Sequence, residues 1–299
     1  MLTTQPPTPT HPSCDPASAW DHGSMATREP DWVPGDAWLA PGYAEWAPPA
    51  ALRGAVACLW ASVVPDGADR TTLVLPDACS DLIWEQGTGG YVAGPDTGPV
   101  RTVTKAGTVI VGVRFRPSAG GTVLGLPLSE VRDQRVALAA LLPAAARRLP
   151  AGLSPAEAAA RAVDISGLLI AEAAPDHAVS QAAALLRDPA ARTEDIAGEV
   201  GLSERQLRRR VRATVGYGPK TLQRVLRFRR FVRMLDAAGE PPDLASAAVQ
   251  AGYADQAHLT RECSALSGLT PAALARVRAQ PSGGSAIMAV PISRKPNRA

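Results

Sequence analysis

The chain is poor in the residues that build metal centres and disulfide frameworks. Its 299 residues contain four cysteines (Cys14, Cys58, Cys79 and Cys263) and four histidines (His11, His22, His177 and His258). No two cysteines stand in a C-x-x-C spacing, which argues against a zinc site and against a disulfide scaffold. Reduced thiols in a cytoplasmic protein are the expectation. No apolar run reaches the ~18–20 residues of a membrane span. The Pro- and Thr-rich start lacks the basic region and apolar stretch of a signal peptide. A soluble, intracellular protein with no membrane partner is expected. Residues 31–150 contain no histidine and no legible nucleophile–base pair. No catalytic residue, no metal and no cofactor are therefore expected, and the chain reads as a non-enzyme.

Charge is present, but unevenly. The formal net charge is +3. Between Glu204 and Arg233 stand eleven Lys and Arg and one acid; between Asp31 and Pro150 stand ten bases and eleven acids. A basic block beside a neutral half is the footprint of a polyanion-binding module joined to something else.

Periodicity divides the chain further. Residues 1–30 and 281–299 are Pro/Ser/Gly-rich and aperiodic and are expected to be disordered tails. Short apolar or β-branched runs at Ala57–Val64, Thr71–Leu75, Asp81–Glu85, Tyr91–Ala93, Val100–Thr104 and Val109–Phe115, punctuated by Gly and Pro, predict a β-sandwich or small barrel. After Pro117 the pattern becomes helical, over Ala119–Leu124, Leu138–Leu149 and Pro155–Ala171. Residues 31–150 are thus expected to form a β-rich regulatory or dimerisation domain, 151–176 a helical linker, and 177–280 an all-helical domain.

The segment TEDIAGEVGLSERQLRRRVR, Thr193 to Arg212, meets the demands of a helix-turn-helix in order. Ile196, Ala197 and Val200 form an apolar face. Ala197 lets two helices cross closely, and Gly201 suits the positive φ of a tight turn. Ser203 and Gln206 make a capping box, and Leu207 and Val211 point inward. Arg205, Arg208, Arg209 and Arg212 then project outward, where such a helix enters a major groove. A second copy runs from Asp243 to Cys263, with Leu244, Ala247 and Ala248 before Gly252, and Asp255 as the next cap. Gln256, His258, Thr260 and Arg261 take its outer or end positions. Between the motifs, Pro219–Leu235 reads as one helix spanning about 25 Å, a rod that holds two readers near one ~34 Å DNA turn apart.

These residues resemble the AraC/XylS transcription regulators. The resemblance covers about Ala178 to Leu274. It rests on the first motif, on GYGPKTLQRVLRFRR (Gly216–Arg230), and on AGYADQAHLTREC with SGLTPAAL (Ala251–Leu274). It implies an α+β multidomain chain: an N-terminal β-rich, cupin-like barrel with following helices, then an all-α domain of two helix-turn-helix motifs joined by a long linker helix. Arg205, Arg208 and Arg209 fall where the family contacts bases or phosphates. The full DNA-contact set expected is Ser203, Arg205, Gln206, Arg208, Arg209, Arg212, Gln256, His258, Thr260 and Arg261. Cys263 departs from the family by replacing an aromatic core residue, and Ser264 and Ala265 replace commonly basic ones. The N-terminal half resembles an uncharacterised domain of some relatives, through LVLPDACSDLIWE (Leu73–Glu85), VAGPDTGPV (Val92–Val100) and VGVRFRPSAG (Val111–Gly120).

Within that half, Asp77, Cys79, Asp81, Arg114 and Arg116 are the candidate effector-binding residues. Arg114 and Arg116 alternate with apolar residues, so both are expected on one strand face. Two arginines inside a barrel would suit an anionic ligand; pairing with Asp77 and Asp81 is the competing reading. Double-stranded promoter DNA is the main partner expected. RNA polymerase, a small-molecule effector and a second copy of the chain are the further candidates. The alternative function is a DNA alkylation-repair or redox-responsive protein using the same DNA reader.

Overall fold

A computed structural model describes residues 40–238, 243–279 and 289–291. The expectation for residues 1–30 lies outside them, as does most of that for 281–299. The N-terminal domain is built on β1 (Gly42–Trp46), β2 (Val56–Val63), β3 (Arg70–Val74), β4 (Ser80–Glu85), β5 (Gly89–Ala93), β6 (Val100–Thr104), β7 (Val109–Phe115) and β8 (Arg135–Ala137). One antiparallel sheet runs β1-β2-β7-β4-β5-β8. A smaller one runs β6-β3-β9, its last strand being Ala289–Pro291. Six of these strands lie where the apolar and β-branched runs placed them, whereas β1, β8 and β9 were not anticipated. Each of the three is a sheet edge, and an edge strand is defined by the pairing its neighbour offers more than by its own pattern. The expected disordered C-terminal tail is accordingly corrected at 289–291, where Leu73 pairs with Val290.

The helices of this half are α1 (Gly120–Val123), α2 (Leu138–Leu141), α3 (Pro143–Arg148) and α4 (Pro155–Glu172). The single helix expected over Leu138–Leu149 breaks at Leu142, because Pro143 cannot donate to it and restricts the residue before it. The expected linker 151–176 is no linker. Ser154 and Glu157 cap α4 reciprocally, and its small residues Ala158, Ala159 and Ala162, with Ile165, are buried on the large sheet beside Leu82, Val113 and Phe115. Alanines let the helix axis approach the sheet closely, so α4 completes the N-terminal core.

The C-terminal domain comprises α5 (His177–Leu185), α6 (Thr193–Glu199), α7 (Glu204–Val215), α8 (Pro219–Ala237), α9 (Leu244–Ala251), α10 (Gln256–Ser267) and α11 (Pro271–Arg278). The fully buried Leu222, Val225, Phe228, Phe231 and Val232 make α8 the spine of its core. Against it pack Leu207 and Val211 of α7 and Leu259 and Cys263 of α10. Leu73, Leu75 and Ala78, from β3 and the loop after it, are buried in this same cluster. The smaller sheet thus joins the two halves.

Candidate nucleic-acid interface

The two helix pairs α6–α7 and α9–α10 are built alike, atom for atom in their turns. Leu202 N donates to Ala197 O at 2.8 Å, and Tyr253 N donates to Ala248 O at 2.8 Å. Gly201 (φ 68°) and Gly252 (φ 90°) occupy the left-handed region that closes each turn. The second helix of each pair starts on a side-chain cap. Ser203 accepts from Gln206 N with Gln206 returning the bond, and Asp255 accepts from His258 N at 2.6 Å.

On α7 the inward residues Leu207 and Val211 are wholly buried. Arg205, Gln206, Arg208, Arg209 and Arg212 are exposed, as is Ser203 before them. Arg208 pairs with Glu204 one turn back at 2.6 Å. Among the described residues no acid is paired with Arg205, Arg209 or Arg212. Holding several cations on one face with so little compensation disfavours the isolated chain and favours a polyanion partner.

The second recognition helix differs. Gln256 and Arg261 are exposed, but His258 and Thr260 are half-buried and take internal partners. Thr260 Oγ1 donates to Gln256 O at 2.8 Å. His258 Nδ1 accepts from Ala254 N, its Nε2 lies 3.7 Å from Glu262, and its ring meets Tyr253 edge-on. Glu262, itself buried, receives Arg224 at 2.8 Å and Arg227 at 3.1 Å from α8, and Arg227 lies 5.0 Å over the Tyr253 ring. This clamp fastens α10 to the long helix. The His258–Glu262 spacing of one turn was visible in the sequence; the two arginines 35 and 38 residues away were not.

Of the five candidate effector residues, Asp77, Cys79, Asp81 and Arg114 stay together, Cys79 N donating to Asp77 Oδ1 at 2.9 Å, and Arg116 leaves them. Arg114 Nε lies 3.1 Å from Asp81 and 3.5 Å from Asp77, and its Nη1 3.4 Å from Glu45. Trp60 Nε1 donates to Asp81 at 2.7 Å, its ring lying flat over Gly112, where a Cβ would fall 2.3 Å from the indole. Arg114 is therefore neutralised by three carboxylates, and the cluster carries no positive surplus for an anion. Arg116 does not share that face. It stands past the end of β7 and donates to Arg53 O at 2.8 Å. Asp77 spans both domains: its carboxylate lies by Arg114, while its backbone carbonyl accepts from the buried Arg229 of α8 at 3.0 Å.

Burial raises the Asp81 carboxyl from 3.8 to about 6, with Arg114 opposing the rise and Asp77 adding to it. In the folded chain Asp81 thus holds its proton to higher pH than when unfolded. Its contribution to stability is greatest below 3.8 and is lost as pH rises through about 6. Asp81→Asn, neutral at every pH, should shrink the drop in unfolding free energy between pH 4 and pH 7 by on the order of 1 kcal/mol. Parallel urea titrations of wild type and variant with equal pH slopes would refute this.

Cys58, Cys79 and Cys263 are buried and unbridged. Burial pushes Cys79 well above its usual value and Cys263 to about 11, so neither is a thiolate nucleophile at neutral pH. Among the described residues no group of His, Cys, Asp or Glu is placed to hold a metal, and no helix is long and apolar enough to cross a membrane.

Two family models match the chain: a helix-turn-helix domain (HTH_18) over residues 196–276, and a domain of unknown function (DUF6597) over residues 44–137. No protein of curated function matches it. Among solved structures it is similar to a transcriptional regulator with an AraC-type DNA-binding domain from Chromobacterium violaceum. The identity there is 25%, over 35% of this chain and 95% of that one, with a TM-score of 0.33. It is also similar to ToxT from Vibrio cholerae, at 10% identity over 73% of this chain and 98% of that one, with a TM-score of 0.40. The doubled turn geometry and the cationic face of α7 agree with the helix-turn-helix model over residues 196–276, and residues 44–137 match the DUF6597 domain model.

Proposed function

We propose that the chain is a sequence-specific transcription regulator that lays α7 and α10 in successive major grooves of promoter DNA. The observation that carries this reading is the exposed Arg205–Arg212 face standing on a helix whose opposite side is wholly buried. Guanidinium groups are the usual bidentate partners of guanine edges, and exposed arginines on a rigid helix suit that task. On α10, Gln256 and Arg261 are the free contacts, while His258 and Thr260 act chiefly in holding the helix. The N-terminal domain serves as the regulatory half, by dimerisation or by answering to a small molecule. Support for coupling comes from the shared core at Leu73, Leu75 and Ala78 and from Arg229 under Asp77.

Selection of binding sites from a random duplex pool with the full-length chain tests the reading. The expected product is a bipartite site with its two parts about one helical turn, ~10 base pairs, apart. The selected duplex should bind at least ~10³-fold more tightly than random sequence. A pool that fails to converge would refute sequence-specific regulation.

A further inference from the structure

Beside the exposed face of α7 the two domains enclose a recess of about 400 Å³. Arg132 enters it from the N-terminal domain, Arg208 and Arg212 from α7, and Lys220 and Thr221 from the first turn of α8. Four cations from three separate parts of the chain converge there, and their local compensation is small. Arg208 has Glu204 at 2.6 Å, and Arg132 has Asp133 at 3.6 Å. Asp133 already accepts from Thr97 N at 2.6 Å and from Thr97 Oγ1. Among the described residues neither Arg212 nor Lys220 has an acidic partner. The α8 start adds to the field: Gly218 offers no side-chain cap, so the helix end that lines the recess is not neutralised by one.

The backbone around Arg132 is held in position. Its loop is fixed by Gly94 N to Gln134 O at 3.0 Å, Asp133 N to Pro95 O at 3.2 Å and Gln134 N to Val131 O at 3.1 Å. The strand end at Gly94 presses so close that a Cβ there would fall 1.8 Å from Val131 O. The backbone that carries Arg132 is therefore fixed beside the recognition helix, leaving only the side chain to be ordered on binding. Oxyanions of the phosphate type are what such a set of cations and a bare helix start bind best.

We propose that this recess holds one backbone phosphate of the DNA that α7 reads, so that Arg132 makes the N-terminal domain a direct part of the DNA-binding surface. The proposal rests on the regulator reading above. A duplex lying on Arg205 and Arg209 brings its backbone to Arg208 and Arg212, which the recess shares with the exposed face. This favours DNA over a free phosphate monoester of the same oxyanion chemistry. It also gives a direct route for regulation, since any shift between the domains withdraws one phosphate contact.

The test uses full-length chain, a fluorescent duplex from the selection and a random-sequence duplex, titrated between 50 and 200 mM KCl. Arg132→Gln should lower the salt slope of log affinity by about 1 on both duplexes, without altering base preference. Over that salt range its affinity then falls about 4-fold less than that of wild type. Arg101→Gln, an exposed arginine of β6 in the same domain, should leave the slope unchanged. An unaltered slope in a folded Arg132→Gln protein overturns the proposal. Thermal stabilisation of wild type but not Arg132→Gln by inorganic phosphate, with the DNA slopes equal, assigns the recess to a free anion and also overturns the DNA contact. A wild-type chain with no duplex affinity removes the regulator reading itself, a result distinct from a bound wild type with an unaffected variant.

Discussion

Glu262→Ala should destabilise the C-terminal domain by about 3 kcal/mol, seen as a lowered urea midpoint with an unchanged denaturant slope. Glu262 is 9% exposed and accepts from Arg224 and Arg227 of α8 while facing His258. Removing the carboxylate leaves Arg227, whose side chain is 14% exposed, as a buried cation without its counterion. Most of the penalty comes from that stranded charge and not from the lost attraction. Arg224, more exposed, adds little because water can replace its partner. Glu262→Gln keeps the volume and one acceptor oxygen and should fall between. The functional consequence is local as well: α10 loses its fastening to α8, so preference in the half of the selected site it reads should weaken while the half read by α7 persists. A Glu262→Ala protein with wild-type midpoint would show that the clamp contributes nothing.

Arg209→Ala should weaken binding to the selected duplex by about 1–3 kcal/mol, roughly 5- to 150-fold, and change the preferred base at one position. Arg209 is exposed on α7 and is paired with no acid among the described residues, so folding should be unaffected. Arg229, equally basic in sequence and twenty residues further along, should behave in the opposite way. It is 9% exposed and bonded to Asp77 O, so Arg229→Ala perturbs the join between domains and not the base preference. A binding-site selection in which Arg209→Ala returns the wild-type preference would remove Arg209 from base readout.

What the sequence by itself determined is what local interactions decide. The capping box at Ser203 and Gln206, the cap at Asp255, the turn glycines Gly201 and Gly252 and the 3.6-residue spacing of Leu207 and Val211 all act within a few residues. The two helix-turn-helix units and the bare α7 face were therefore legible before any coordinates. Six strands were legible too, since an apolar or β-branched run bounded by Gly and Pro is a property of the segment alone. Only tertiary structure decided which polar residues are spent internally, because those partners lie far apart along the chain. Arg229 and Asp77 are 152 residues apart, Arg114 and Glu45 69, and Arg224 and Glu262 38. No short-range pattern distinguishes the buried Arg229 from the exposed Arg209, or marks Arg132 as a neighbour of Arg208. Packing likewise turned the expected linker into α4 of the N-terminal core and drew residues 289–291 onto β3. In both, a helix face or strand edge acquires its role from the surface that receives it.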